Sequence, residues 1–235
     1  WQFQRTKCVF RFIESKKGNR KINEIHLKHH TDHKMAQKTE LQPAAGAKDS
    51  PKTREEFLKY SREITLDPNT ASTLLLLSDG DRKATVMKEE QLYPDHPDRF
   101  TGCCQVLSRE SLTGRCYWEV QWSDAGVSVA VAYKDIRRAG NSEECEFGYN
   151  DRSWALECSR HGYEFFHDKN PTLASDPRSC RVGVYLDHGA GVLSFYSVNE
   201  TMKLLHRVQT RFSQPLLAGL WLYSEGTTAE FCKLT

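Results

Sequence analysis

Long hydrophobic runs are missing from this chain of 235 residues; the longest apolar stretches are broken by Ser, Thr or Gly well short of the roughly 18–20 residues of a helical membrane span. A helical membrane protein is excluded and a soluble one expected. No charged segment leads into an apolar core at the start, which is Trp1 and not Met, so the chain reads as a fragment or processed product of a longer parent. Catalytic signatures are also missing. There is no G-x-S-x-G elbow, H-E-x-x-H helix, Walker-type loop or C-x-x-C pair. His161, His167, His188 and His206 are scattered among predicted loops and strand ends, where satisfied or solvated histidines are the rule. No catalytic residue, cofactor or metal is expected.

The eight cysteines never take the C-x₂₋₄-C spacing of a zinc knuckle, and the adjacent Cys103 and Cys104 cannot chelate like one. Several sit in apolar runs, as in Arg115-Cys116-Tyr117-Trp118 and Phe231-Cys232. There a free thiol behaves as a small hydrophobe. Reduced, buried cysteines fit a cytosolic protein.

A large excess of one charge is lacking too: 33 Lys+Arg face 31 Asp+Glu, a net +2. That balance hides a split. Residues 1–50 hold 11 basic and 5 acidic side chains, while the remaining 185 residues carry a net −4. The acidic-leaning body is a poor match for a phosphate backbone, so neither nucleic acid nor membrane is an expected partner. Residues 1–50 have no sustained apolar periodicity after Phe12 and read as a basic linker or disordered tail. His26, His29, His30 and His33 in that tail would line one face of a helix. They lack the carboxylate partners that orient metal-bound imidazoles and are read as solvated.

What the body has is strand signal. Thr53-Arg54-Glu55-Glu56 has the spacing of a capping box and predicts a short helix carrying Phe57 and Tyr60 on one stripe. Val127–Tyr133 then alternates with period two, its Val/Tyr face for burial and its Ser/Ala face needing a close neighbour or partial exposure. Similar runs are predicted over 84–88, 116–122, 153–158, 163–167, 181–186, 192–198, 202–208, 216–223 and 228–234, with turn clusters such as Asp187-His188-Gly189-Ala190-Gly191 between them. About ten to thirteen short strands with almost no helix imply an all-β antiparallel sandwich or barrel.

Some residues have readable roles. Asp67 before Pro68 should end a strand, because proline offers no N–H to a ladder. Trp118 and Val120 share one strand face, assigned to the core, and Glu119 points the other way. Leu186-Asp187 leads into a hairpin whose returning strand, Leu193-Ser194-Phe195-Tyr196, turns Phe195 inward. Asn199-Glu200-Thr201 is a formal glycosylation sequon, relevant to a secreted parent.

Leu66-Asp67-Pro68, Trp118-Glu119-Val120 and Val184-Tyr185-Leu186-Asp187 with the strand after it occur in the order of the three signature motifs of the PRY-SPRY domain, which residues 51–235 resemble. The resemblance implies a bent antiparallel β-sandwich of two sheets with a short N-terminal helix. It also implies a protein- or peptide-binding module without catalysis. The stretches 53–87 and 216–234 look most like those of bony-fish proteins: tripartite-motif ubiquitin ligases, nucleotide-binding leucine-rich-repeat receptors and stonustoxin-like proteins. The first of these implies selection of a protein for ubiquitination in innate defence, in a parent oligomeric through a coiled coil outside this sequence.

Family ligands are held by loops on one surface. Mapped here, these are 79–83 with Asp81 and Arg82, 93–101, 134–141 with Asp135, Arg137 and Arg138, the segment around Trp154, and 223–226 with Tyr223 and Glu225. Trp154 is assigned to the core by the alternation of its strand. Glu157 and Ser159 stand where other members place aromatics, implying a more polar pocket and a different ligand. The Arg137-Arg138 pair gives its loop a positive excess suited to an acidic patch on a partner.

Overall fold

The capping box closes as its spacing predicts. The Glu56 amide donates to Thr53 Oγ1 at 3.3 Å and the Glu56 carboxylate accepts from the amides of Thr53 and Lys52, opening α1 (Arg54–Leu58). Phe57 on this helix is buried against Tyr117 and Tyr185. The computed structural model describes residues 51–123, 125–139, 142–174 and 179–234, the side chains of Ser142 and Glu143 excepted. The tail expected over residues 1–50, with His26, His29, His30 and His33, lies outside the described residues, as do Gly140 and Asn141 of the 134–141 loop.

Thirteen described strands follow: β1 (Leu75–Ser78), β2 (Lys83–Val86), β3 (Gln105–Leu112), β4 (Arg115–Trp122), β5 (Val127–Tyr133), β6 (Ser153–Ser159), β7 (Gly162–His167), β8 (Asn170–Leu173), β9 (Arg181–Asp187), β10 (Val192–Val198), β11 (Met202–Gln209), β12 (Leu216–Leu222) and β13 (Thr228–Phe231), with α2 (Ser142–Cys145) between β5 and β6. They form a seven-stranded sheet ordered β1-β2-β13-β4-β9-β10-β11 and a six-stranded sheet ordered β3-β12-β5-β6-β7-β8. Every strand pair is antiparallel. No described helix is long and apolar enough to cross a membrane.

The inward rows of the two sheets make the main core. Cys116, Trp118, Val120 and Trp122 of β4 join Val127, Val129, Val131 and Tyr133 of β5, with Trp154, Phe165, Phe195 and Phe231. Trp154 is therefore core, as its strand pattern implies. Its ring stacks on His167 and meets Tyr133 and Phe212 edge-on. Five of the described cysteines are buried; Cys180 is exposed and Cys232 half-buried.

The outer faces hold what the alternation alone leaves open. On β5 the Ser/Ala face is buried as well, because Phe147 lies on it. Ala130, Ala132 and Ala155 form a second small core with Phe100, Leu107, Ile136, Phe147 and Leu217. A Cβ on Gly219 would come within 2.7 Å of the Phe147 ring, so β12 needs glycine beneath it.

Three strands were not expected: β1 from a run of leucines without alternation, β3 with buried Gln105 and Ser108, and β8, exposed throughout. Asp67 differs in detail from its expected role. Leu66 makes only an isolated bridge to Ser108, and Asp67 opens a turn, its Oδ1 accepting from the Asn69 amide at 3.0 Å. The β9–β10 hairpin forms as its turn residues predict. Asp187 pairs with Val192 and caps the turn through the Ala190 amide, and Gly191 turns at φ 70° against the Thr210 carbonyl.

Candidate ligand-binding face

Strand register places one row of side chains straight across the outer face of the six-stranded sheet. Gln105, Trp221, Ser128, Glu157, Glu164 and Leu173 are successive partners on β3, β12, β5, β6, β7 and β8. Side chains sharing a row share a face. Phe147 and its neighbours cover the adjacent row, Leu107-Gly219-Ala130-Ala155-Phe166, so the Trp221–Glu164 row borders that cover.

Aromatic rings frame the row. Trp221 meets Tyr223 edge-on with centroids 5.1 Å apart, and the Tyr223 hydroxyl shares a 2.6 Å hydrogen bond with Ser128 Oγ. Tyr149 stacks on Phe166 at 5.2 Å and donates a long hydrogen bond, 3.4 Å, to Glu157 Oε1. Gly126, at φ 133°, lets the Tyr223 ring approach the β4–β5 turn; a Cβ there would lie 2.6 Å from the Cys158 carbonyl oxygen and 3.1 Å from the Tyr223 ring.

The electrostatics are unbalanced. Glu157 is only 6% exposed and sits directly opposite Glu164, an unfavourable like-charge pair. Burial, and then the charge of Glu164, push the Glu157 carboxyl up to about 7, with Tyr149 drawing it partly back and Glu146 adding to the rise. Burial and the Glu157 charge raise Tyr149 and Tyr223 above the usual phenol range. No ion pair to Glu157 or Glu164 forms among the described residues.

The residues named from sequence fall in three places. Glu157 and Tyr223 belong to this face, with Ser159 at the end of β6 and Glu225 exposed in the turn after β12. Asp135, Arg137 and Arg138 stand on the loop after β5. Asp135 faces Arg152 at 3.5 Å, Arg137 is an exposed partner of Glu144 at 2.9 Å, and Arg138 is turned inward. Its guanidinium donates to the carbonyls of Ile136 and Lys134 and lies 4.8 Å from the Phe100 centroid, so of the pair only Arg137 projects. Asp81 and Arg82 are elsewhere, in the β1–β2 turn on the seven-stranded sheet, where Asp81 pairs with Arg109 at 2.9 Å. The 93–101 loop is pinned by Arg99, which donates to the carbonyls of Pro68, Ala71 and Pro94.

Sequence reasoning missed Trp221, Ser128, Tyr149 and Glu164. Trp221 lies in an almost wholly apolar strand whose two faces look alike in composition. The register joins Trp221, Ser128 and Glu164 to Glu157, and a hydrogen bond from the loop before β6 joins Tyr149 to it.

A family model for the SPRY-associated domain PRY matches residues 64–112, and one for the SPRY domain matches residues 115–233. The chain belongs to the PRY-SPRY family. This PRY-SPRY chain is 37% identical over 179 residues to tripartite motif-containing protein 16 of Mus musculus, covering 75% of this chain and 32% of that protein. It is 39% identical over 170 residues to stonustoxin subunit beta of Synanceia horrida, covering 71% and 24%. It thus spans about a quarter to a third of these two relatives. The crystal structure of the TRIM65 PSpry domain superposes with a TM-score of 0.71 at 27% identity, over 78% of this chain and 98% of that one. SPRY domains bind protein ligands. Of the PRY-SPRY signature, Trp118, Val120 and the Leu186-Asp187 turn lie as expected, Asp67 opens a turn and does not end a strand, and Glu119 faces away from the core as expected but is buried there.

Proposed function

We propose that the outer face of the six-stranded sheet is the recognition surface of this PRY-SPRY domain, taken as residues 51–235 behind a linker of residues 1–50. The observation that carries the reading is the Trp221-Ser128-Glu157-Glu164 row, where aromatic area and uncompensated carboxylates meet beside a preformed cover. A partner segment presenting an apolar or aromatic anchor and a basic side chain complements it: the anchor supplies contact area and the cation relieves the Glu157–Glu164 repulsion. Arg137, Asp135 and Glu225 would then act at the rim.

In its parent the domain selects the protein on which a tripartite-motif ubiquitin ligase acts, in innate defence and in the cytoplasm; the tripartite-motif relative supports a tripartite-motif parent. The stonustoxin relative supports a second reading, as a domain of a cytolysin subunit.

Panning a random peptide library on the chain tests the surface. Peptides enriched on the unmodified chain should be lost on Trp221→Ala and on Glu164→Lys, with the melting midpoint of Glu164→Lys retained. Equal enrichment on all three chains would refute the assignment.

A further inference from the structure

The opposite sheet carries a different kind of site. Glu119 of β4 is fully buried and saturated: Arg54 Nε and Nη2 donate to its two oxygens at 2.7 and 3.2 Å, Tyr117 Oη donates at 2.7 Å and Arg181 Nη1 at 3.3 Å. Gly183, its partner on β9, makes room for the Tyr117 hydroxyl, which would lie 2.7 Å from a Cβ there. Two guanidinium groups therefore serve one carboxylate, leaving one positive charge over.

Both arginine side chains are still about two-fifths exposed, at 41% and 39%. They line a cleft of about 340 Å³ together with Gln121, Ser179, Cys180, Val198 and Asn199. Arg181 Nε is held by Gln121 Oε1 at 3.1 Å, while Arg54 Nη1 and Arg181 Nη2 make no hydrogen bond among the described residues. The two forks are thus fixed from behind by Glu119 and Gln121 and keep N–H donors on the cleft side, so little side-chain freedom remains to be lost when a ligand binds.

We propose that this cleft binds a carboxylate of an acidic polypeptide segment, at a second recognition site separate from the face on the six-stranded sheet. The guanidinium pair offers the forked geometry that carboxylates take. Charge favours a monoanion. One carboxylate balances the surplus, whereas a dianionic phosphate would add a second negative charge next to buried Glu119. The volume is at the small end for ligand pockets and suits one acidic side chain or a chain terminus.

The test uses the full chain and four short peptides of glycine and serine: one with a single glutamate and blocked ends, its glutamine counterpart, the glutamine peptide with a free C-terminal carboxylate, and a phosphoserine counterpart of the first. The glutamate peptide should bind at least tenfold more tightly than the glutamine peptide; the third shows whether a chain terminus serves as well. Asn199→Asp puts a negative charge at the rim while keeping the acceptor used by the Thr201 amide, so it should weaken the glutamate peptide at least tenfold with the melting midpoint unchanged. Arg181→Gln, which removes the surplus charge and leaves Glu119 held by Arg54 and Tyr117, should do the same. The basic tail is common to every variant, so binding there would be unaffected. Equal affinity across the variants, tighter binding of a phosphoserine peptide, or no glutamate-dependent binding at about 10 mM peptide would overturn the proposal.

Discussion

Replacing Glu157 with Gln should leave the stability of the domain nearly unchanged at pH 4.5 and raise it at pH 8. The ordinary value of 4.5 for the Glu157 carboxyl rises to about 7 in the folded chain, through burial and the facing Glu164. Below pH 4.5 the group is neutral in both the folded and unfolded states and contributes nothing. Between 4.5 and about 7 the unfolded chain releases the proton while the folded chain keeps it, so stability falls with rising pH, and above that window the full loss applies. At about 1.4 kcal/mol per pH unit the loss amounts to about 3 kcal/mol. Glutamine is close in shape and still offers Tyr149 an acceptor, but it cannot ionise. Urea unfolding of the parent chain and Glu157→Gln at pH 4.5 and pH 8 gives four free energies. Their double difference removes every other titrating group, including Glu164, Glu146 and Tyr149, to the extent that each behaves alike in both chains. A double difference below about 1 kcal/mol, or one of opposite sign, would refute the argument that burial and Glu164 act on this carboxyl.

Trp118→Ala should destabilise the domain by about 3–5 kcal/mol in denaturant titration, since the ring is fully buried between the sheets. Trp118→Phe should lose much less, because the indole Nε1 has no hydrogen-bond partner to forfeit. Gly183→Ala should cost about 1–3 kcal/mol, because its Cβ would press on the Tyr117 hydroxyl and on Val198 Cγ2 at 3.0 Å. The two adjacent arginines should separate in a thermal melt: Arg137→Ala within about 0.5 kcal/mol of the parent, as for an exposed pair, and Arg138→Ala lower by about 1–2 kcal/mol through lost carbonyl bonds and contact with Phe100.

Local chemistry made much of this fold legible. The capping box gave α1, strict alternation gave β5, and the Asp-His-Gly-Ala-Gly cluster gave the β9–β10 hairpin. Where a strand lacked that chemistry it was invisible: Leu74 to Leu77 do not alternate, β3 buries Gln105 and Ser108 on a hydrogen-bonded network, and the solvated edge strand β8 has no core face at all. The candidate face was half legible for a related reason. Glu157 and Tyr223 are flagged by their own positions, but Trp221, Ser128 and Glu164 join them through pairings across four strands that local sequence does not encode. Glu119 likewise reads as an outward residue until α1, far away in sequence, brings Arg54 over it.

The order β1-β2-β13-β4 has a consequence for how the chain is made. The hairpin at residues 75–86 reaches the rest of its sheet only through β13, whose last residue is Phe231. β3, from the same early segment, pairs with β12 of the SPRY part. PRY and SPRY are therefore one cooperative unit and not two modules in series. A nascent chain carrying the whole PRY segment still lacks the strand that docks it, so the sheet cannot close until β13 has left the ribosome. A stop codon at residue 228 would remove β13 and leave the hairpin without the strand that joins it to its sheet.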